Sequence, residues 1–375
     1  MAGSLKQTPF HRCYADSGAR LVDFAGWELP VQFSGLVKEH QAVRSAVGAF
    51  DVSHMGEARV RGNEALDFAN YLVTNDVHSL ADGQALYSPM CNASGGIIDD
   101  LLVYRVNSNE VFFCFNGATV EKDLAWMREV ASNFKVELID ETAHWAQLAV
   151  QGPRAQSVLE ELAGPTATNL GYYRFVTGLE VAGQADCMVA RTGYTGEDGF
   201  EIFIRAQSAA ALWDAVMETG AAHGIEPCGL GCRDTLRLEA KFLLYGNDIT
   251  EACNPLEAGL GWTVKFDAGD FVGRDALADI KASGVARKLV GFEMTERGIA
   301  RHDHRVVDAQ GKSVGVVTSG THSPTLGKAI GLAYVPEGMH KRGTELTIEV
   351  RSKNLTAVVV RTPFYKRPEP LDSAH

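Results

Sequence analysis

No apolar run in this sequence approaches the ~20 residues that a helix needs to cross a bilayer. The first stretch, MAGSLKQTPFHRCYADSG, has neither an apolar signal core nor an Arg/Ser-rich amphipathic presequence. A cytoplasmic protein, or one already processed, is the expectation. Positive charge is short as well: 35 Lys and Arg stand against 47 Asp and Glu, a formal net charge of −12. Nucleic acid and anionic membranes are therefore poor main partners, although a local arginine cluster can still hold a small anion. Cysteine is scarce and odd in number, seven in 375 residues, so no disulfide framework is expected. Cys228 and Cys232 have a spacing that suits a metal, but no second pair or spaced histidine accompanies them. Buried free thiols are the better reading. The chain also lacks a GxxxxGK[ST] loop, a GxGxxG in strand–helix context and an HExxH. Ser53-His54 adjacency means little for a triad, whose members meet in space. Arg301-His302-Asp303-His304 reads as a loop with a useful arginine.

What is present suits a large folded protein. Hydrophobic residues make up 46% and charged ones 22%, with no low-complexity tract, so two or three domains can each bury a core. Periods of 3.6 predict helices over Leu36–Val47, Ala118–Val130, Arg154–Leu162, Ala209–Thr219 and Arg233–Lys241, with Ser34, Asn63 and Ser208 placed as side-chain caps. Strand-like runs include Val111–Phe115, Trp145–Val150 and Phe200–Ile204.

An internal repeat organises the first part. Gly83-Gln84-Ala85 recurs as Gly183-Gln184-Ala185, one hundred residues on. Each copy leads through a strand, a glycine turn and a second strand that ends in Arg105 or Arg205. Upstream, Val60-Arg61-Gly62 before a helix matches Val150-Gln151-Gly152 before a helix. Two related α+β units follow, their hairpins set about a pseudo-twofold axis. From about Lys288 the texture changes to short strands and turns: Lys288–Met294, Ser313–Thr318, Ala329–Val335, Leu346–Val350 and Thr356–Arg361. That spacing predicts a small antiparallel barrel or sandwich. The division falls after Phe271–Ile280, giving residues 1–285 and 286–375.

Three segments hold unusual charge. In Gly95–Tyr104, Asp99 and Asp100 interrupt an apolar strand, and unpaired buried charge is costly. Alternation puts Asp100 on one face with Ile98, Leu102 and Tyr104, and Asp99 on the other. One carboxylate can enter a cavity while the other caps the turn; a polar hairpin end is an equal alternative. In Thr192–Ile202, Glu201 faces away from Phe200 and Ile202. It is either a half-exposed strand residue or a second carboxylate across from Asp100. In Gly229–Glu239 a glycine loop runs into a helix with Arg233 and Arg237 one turn apart. An arginine near a helix start opposes the macrodipole, so a carboxylate from protein or ligand is the expected reason. A surface network of Asp234 and Glu239 with Arg237 is the structural alternative.

Taken in order, the segments resemble the T-protein family of the glycine cleavage system. The resemblance rests on Phe24-Ala25-Gly26-Trp27 with Pro30, Phe50–Met55, Leu86-Tyr87-Ser88, Gly95–Tyr104, Thr192–Ile202, Arg233–Glu239, Thr318-Ser319-Gly320 and Ser323-Pro324-Thr325-Leu326. It covers nearly the whole chain, and as an ordered set the motifs are specific. It implies an α+β, three-domain cloverleaf around a central folate channel: two interleaved α+β domains and a C-terminal antiparallel β-barrel. It implies transfer of an aminomethyl carbon from the dihydrolipoyl arm of lipoylated H-protein to tetrahydrofolate as co-substrate. Ammonia is released and 5,10-methylenetetrahydrofolate formed, with no metal.

By the same resemblance, Asp100 matches the catalytic aspartate and Glu201 the acid that binds the pterin. Arg233 matches a binding-site arginine, and Tyr87, Tyr104, Tyr194 and Met55 match pocket residues. A carboxylate suits the adjacent N–H donors of a pterin and stabilises iminium-like cations, and a base must take a proton from the folate nitrogen. Lys241, where glycine is expected, and Cys114-Phe115-Asn116-Gly117 depart from the family pattern. Two neighbours of the family compete: tetrahydrofolate-dependent demethylases, and a folate-binding factor of iron–sulfur protein maturation that is not a transferase. The uninterrupted pattern and Asp99-Asp100 argue against the first. Leu243, in place of the required cysteine, argues against the second.

Overall fold

The computed structural model describes residues 4–14 and 17–368. A short helix α1 (His11–Tyr14) and a hairpin of β1 (Arg20–Phe24) and β2 (Trp27–Gln32) come first, followed by α2 (Leu36–Ser45) and β3 (Val47–Asp51). The first unit holds β4 (Gly56–Arg61), α3 (Ala65–Leu72), β5 (Gln84–Cys91), β6 (Ile97–Asn107), β7 (Glu110–Phe115), α4 (Val120–Ala131) and β8 (Glu137–Asp140). The second holds β9 (Trp145–Gln151), α5 (Ala155–Ala163), the short α6 (Pro165–Thr168), β10 (Phe175–Val181), β11 (Gln184–Ala190), β12 (Gly199–Arg205), α7 (Ala209–Ala221) and β13 (Ile225–Pro227). Helices α8 (Leu230–Glu239) and α9 (Arg274–Ser283) lead to β14 (Arg287–Met294), β15 (Arg305–Val307), β16 (Ser313–Ser323), β17 (Lys328–Pro336), β18 (Glu345–Val350) and β19 (Lys353–Val360).

The duplication is real, but its register differs from the one the tripeptides suggest. The sheets run β5-β6-β7-β4-β8 and β10-β11-β12-β9-β3-β13, so β4 corresponds to β9 and β5 to β10, with β3 inserted beside β9. Val60-Arg61-Gly62 and Val150-Gln151-Gly152 occupy equivalent strand ends. Gly83-Gln84-Ala85 opens β5, whereas Gly183-Gln184-Ala185 opens β11, the counterpart of β6. That tripeptide match is off by one strand. The equivalent outer strands meet where Gln84 bridges Arg174 in antiparallel sense, the contact a pseudo-twofold axis would generate.

Each sheet buries one face under its own helices. Leu86, Leu101, Val103 and Phe113 pack with α3 and α4 residues, while Leu148, Val150, Phe200 and Ile202 pack with α5 and α7 residues. The other faces meet each other through Tyr104, Phe112, Cys114, Trp145, Phe175 and Phe203. Alternation produces both surfaces from the same strands. Ile98 is an exception: it joins the helix-side cluster, next to the point where the β5–β6 register slips between Met90 and Cys91.

The caps do not form as expected. Glu39, inside α2, accepts the amides of Phe33 at 2.6 Å, Gly35 at 2.9 Å and, from the start of α8, Gly229 at 2.9 Å. A buried carboxylate thus serves two helix starts and leaves Ser34 to donate to Glu226 at 3.0 Å. Glu64, not Asn63, precedes α3, and Ser208 makes no side-chain cap bond to α7. Helix α8 begins one turn earlier than the periodicity predicts. Gly229 permits this, because a Cβ there would lie 2.5 Å from the Val31 carbonyl carbon of β2. The helix ends before Lys241, which holds the left-handed φ of 59° that explains why glycine is expected there.

The C-terminal strands close into a barrel of order β14-β17-β16-β15-β18-β19. At three residues, β15 is too short to show a period, and the sequence reading lacks it. Two buried acids fasten this barrel to α8. Arg237 donates to Asp234 at 2.9 Å, Asp248 at 2.6 Å and Ser319 at 2.8 Å, and Thr318 donates to Asp248 at 2.6 Å. Glu239 accepts from Ser323, from Thr325 at 2.8 Å and from Arg44 at 2.8 Å. The Thr318–Gly320 and Ser323–Leu326 motifs are therefore interdomain anchors. Arg237 is 2% exposed, so the surface network envisaged for it is not what forms.

Candidate functional site

A cleft opens where the inner sheet faces meet the first turn of α8, and Tyr87, Asp100, Tyr194 and Arg233 keep partial exposure there. Asp100 points inward from β6; Asp99, fully buried, points toward the start of α4. Asp100 accepts from the Tyr87 hydroxyl at 2.9 Å and from Asn116 Nδ2 at 3.0 Å. The same Nδ2 donates to Asp99 Oδ1 at 2.8 Å, and the Asn116 backbone N–H donates to Asp99 Oδ2 at 3.0 Å. Burial, and then the neighbouring Asp99 charge, push Asp100 up to about 7 against the pull of those two donors. A carboxylate so poised accepts protons near neutrality.

Glu201 enters the same interior from β12, on the face of Phe203. It accepts Gln147 Nε2 at 3.0 Å and the Thr192 hydroxyl, and only 7% of it is exposed. The half-exposed alternative does not hold. Burial raises its pKa, while Thr192, the Arg233 charge and Gln147 pull the other way.

The Arg233 guanidinium lies 4.7 Å over the Tyr194 ring and makes no hydrogen bond or ion pair with the described residues. Tyr194 is held from behind by stacking on Phe242 at 5.7 Å and by donation to the Leu243 carbonyl. The His54 imidazole is driven down to about 3 by burial and then by Arg233, so it is neutral, and its Nδ1 has no partner. Tyr87 stacks with the exposed Trp262 at 6.1 Å, which places an aromatic wall beside Asp100. Met55 is half-buried between the inner-face cluster and the one around Cys228 and Leu236. The site therefore offers a buried and a half-buried carboxylate, an uncommitted guanidinium and flat aromatic faces, a set of groups for a planar N–H-rich ring and an anionic group.

The sequence pattern of the GCVT N-terminal domain matches residues 10–268, and that of the glycine cleavage T-protein C-terminal barrel domain matches residues 287–366. The aminomethyltransferase of Bacillus subtilis is 47% identical over 364 residues, covering 97% of this chain and 100% of that one. That of Symbiobacterium thermophilum is 48% identical over 373 residues, with coverages of 98% and 99%. The crystal structure of glycine cleavage system aminomethyltransferase T from Bartonella henselae aligns with a TM-score of 0.91 at 34% identity, over 97% of this chain and 99% of that one. The chain belongs to the glycine cleavage T-protein family. Its activity is that of the family: aminomethyl transfer in the glycine cleavage system with tetrahydrofolate as co-substrate.

Of the residues this family resemblance singles out, Asp100, Glu201, Arg233, Tyr87 and Tyr194 come together at the cleft. Tyr104 is fully buried, in edge contact with Phe112 at 5.8 Å, Phe175 at 5.2 Å and Phe203 at 6.1 Å. It is core by packing, yet its hydroxyl has no partner and lies close enough to Glu201 for that charge to raise its pKa after burial does. The sequence reading lacks Asn116 and Gln147 as site residues. Asn116 sits before Gly117, where a Cβ would lie 2.1 Å from the His54 carbonyl oxygen, so the glycine was the available signal. Gln147 had the signal of a polar residue in the wholly buried strand β9. Cys228 and Cys232 are free and buried, as are Cys91, Cys114, Cys187 and Cys253, while Cys13 is free and half-buried. Among the described residues, no group of three or more His, Cys, Asp or Glu side chains is arranged for a metal, and no helix is long and apolar enough to cross a membrane.

Proposed function

We propose that Asp100 is the proton acceptor and electrostatic partner of the transferred carbon, that Glu201 receives the pterin N–H donors, and that Arg233 contacts an anionic part of the bound substrate. Tyr87, Tyr104, Tyr194 and Met55 shape the folate pocket around them. The donor of the aminomethyl group is the dihydrolipoyl arm of lipoylated H-protein. In this scheme the carbon–sulfur and carbon–nitrogen bonds to the aminomethyl carbon break, ammonia leaves, and two folate nitrogens bond to that carbon. Of the two folate N–H protons released, one ends on the departing sulfur, regenerating the dihydrolipoyl thiol, and one on ammonia. Asp100 accepts a folate proton and passes it on, and the carboxylate offsets positive charge on the carbon as it moves. Neutral His54 and the aromatic walls keep bulk water from that carbon.

The single observation that carries this reading is Asp100 itself. It is a half-buried carboxylate pushed up to about 7, held by donors from Tyr87 and Asn116, on the same inner surface as Glu201. Cytoplasmic placement agrees with seven unpaired thiols, which suit a reducing compartment. We divide the chain at 285/286, in the stretch between α9 and β14. The test is incubation with aminomethylated H-protein and tetrahydrofolate while ammonia is followed. Release that depends on both, and that Asp100→Asn abolishes, is the expected result; folate-independent release at full rate defeats the assignment.

A further inference from the structure

We propose that Asp123 is a positioning residue for the transfer: its carboxyl donates a proton to Asp99, and Asp99, kept anionic, holds Asn116 and Asp100 in place and keeps Asp100 basic. The inference rests on Asp100 being the proton acceptor.

Asp123 lies in the first turn of α4 and is fully buried, and among the described residues neither of its oxygens meets an N–H or O–H donor. The group it does meet is the Asp99 carboxyl. Two fully buried carboxylates in contact cannot both be ionised, so the pair holds one proton. The donor count decides where it resides. Asp99 receives Asn116 Nδ2 at 2.8 Å and the Asn116 amide at 3.0 Å, whereas Asp123 receives no N–H; the single Thr119 Oγ1 proton goes to the nearer Asn116 carbonyl at 3.1 Å. The charge belongs on Asp99 and the proton on Asp123. Burial is the largest influence on both groups and raises both; against it Asn116 lowers Asp99 twice over, by side chain and by backbone, and those two donors put the charge there.

The consequence reaches the cleft through a single amide. Asn116 Nδ2 donates to Asp99 and to Asp100 at once, so an Asp99 that turns or loses its charge moves the donor that Asp100 uses. The anion beside it also raises the basicity of Asp100. Other charges nearby do not cancel the pair. The Lys122 ammonium is engaged by the Ile98 carbonyl at 2.6 Å, the Tyr245 hydroxyl at 2.7 Å and Glu251 at 3.3 Å. Tyr87 reaches Asp100 from β5, and Tyr245 stands beside the acids as a neutral phenol.

The experiment compares pH–rate profiles of wild type, Asp123→Asn, Asp123→Leu and Asp99→Asn, with saturating aminomethylated H-protein and tetrahydrofolate. An asparagine at 123 supplies the same donor, so its acidic limb stays within a few tenths of a pH unit of wild type. Leucine at 123 and asparagine at 99 each cost the anion, so both move that limb down by roughly one unit and lower the plateau rate. The infrared difference between wild type and Asp123→Asn at pH 8 should carry a protonated-carboxyl band, a readout that holds even if a variant is less stable. Absence of that band overturns the proposal. So does a folded Asp123→Leu with a wild-type profile, or an Asp123→Asn as impaired as the leucine. If the band is present but Asp100→Asn retains full turnover, the proton-acceptor reading fails separately, and the positioning role falls with it.

Discussion

The Arg233 guanidinium sits 4.7 Å over the Tyr194 ring, and the ring is itself clamped by Phe242 and the Leu243 carbonyl. A cation is thus held on a rigid aromatic face with its donors uncommitted. Leu243 is also the residue that would have to be a cysteine in the iron–sulfur maturation factor, and here it supplies packing and a carbonyl. Arg233→Lys keeps the charge but loses the planar fork and most of the stacking, so folate affinity or turnover should fall about tenfold or more while the thermal midpoint barely moves. Calorimetric titration with tetrahydrofolate and steady-state rates check this; wild-type values would make Arg233 a bystander.

Glu201→Gln removes the charge and keeps the volume. Gln147 and Thr192 donate to different oxygens of Glu201, so an amide there takes the charge from both and leaves one of them facing an NH2 group. A charged hydrogen bond contributes about 1.5–3 kcal/mol, so folate binding should weaken by roughly ten- to a hundredfold. Equal affinities of variant and wild type would remove Glu201 from the pocket.

The two aspartates of β6 should separate cleanly. Asp100→Asn is nearly isosteric but accepts no proton, and the rate should drop by ~10²–10⁴-fold with folate still bound. Asp99→Asn acts through Asn116 and should cost less. If Asp99→Asn is dead and Asp100→Asn active, the roles assigned to the two faces are reversed.

The pH dependence follows from the same carboxylate. With Asp100 up at about 7 from its ordinary 3.8, activity should rise along an acidic limb centred near pH 7. The folded state holds a proton that the unfolded chain gives up at lower pH. Stability from this group is full below pH ~4, falls as pH rises toward 7, and is lost above it. Asp100→Asn should therefore raise the thermal midpoint at pH 8 and much less at pH 4. The gain is bounded at about 4 kcal/mol and lowered by whatever solvent reaches the group. Equal shifts at both pH values would mean that Asp100 is not raised.

Arg237 is a structural case. Arg237→Met leaves Asp248 buried without its cation and should cost about 3–5 kcal/mol in unfolding free energy, read by denaturant titration. Asp248→Asn added to it should recover part of the loss, because a neutral amide needs no counter-charge. Loss below about 1 kcal/mol would show that water replaces the pair.

Local periodicity was enough to determine much of this protein. The helices at Leu36 and Ala209 and five of the six barrel strands follow from spacing alone, and a period of two put Asp99 and Asp100 on opposite faces whatever surrounds them. The ordered motifs were sufficient for the family. Alternation, however, is silent on which face meets a cleft. Only the packing of one inner sheet face against the other placed Asp100 there and Asp99 against α4. The repeat shows the same limit. The tripeptides matched at one hundred residues and the strand ends at ninety, and hydrogen-bonded strand order decided for the second. Arg233 and Arg237 are indistinguishable as neighbours one turn apart on a helix. One faces an aromatic ring with its donors open, and the other is buried against Asp248 and Ser319, because segments far apart in the chain arrive on different sides of α8. Charge and period are properties of neighbours in sequence. Burial, proton sharing and pKa belong to neighbours in space, and those were decided by the tertiary structure.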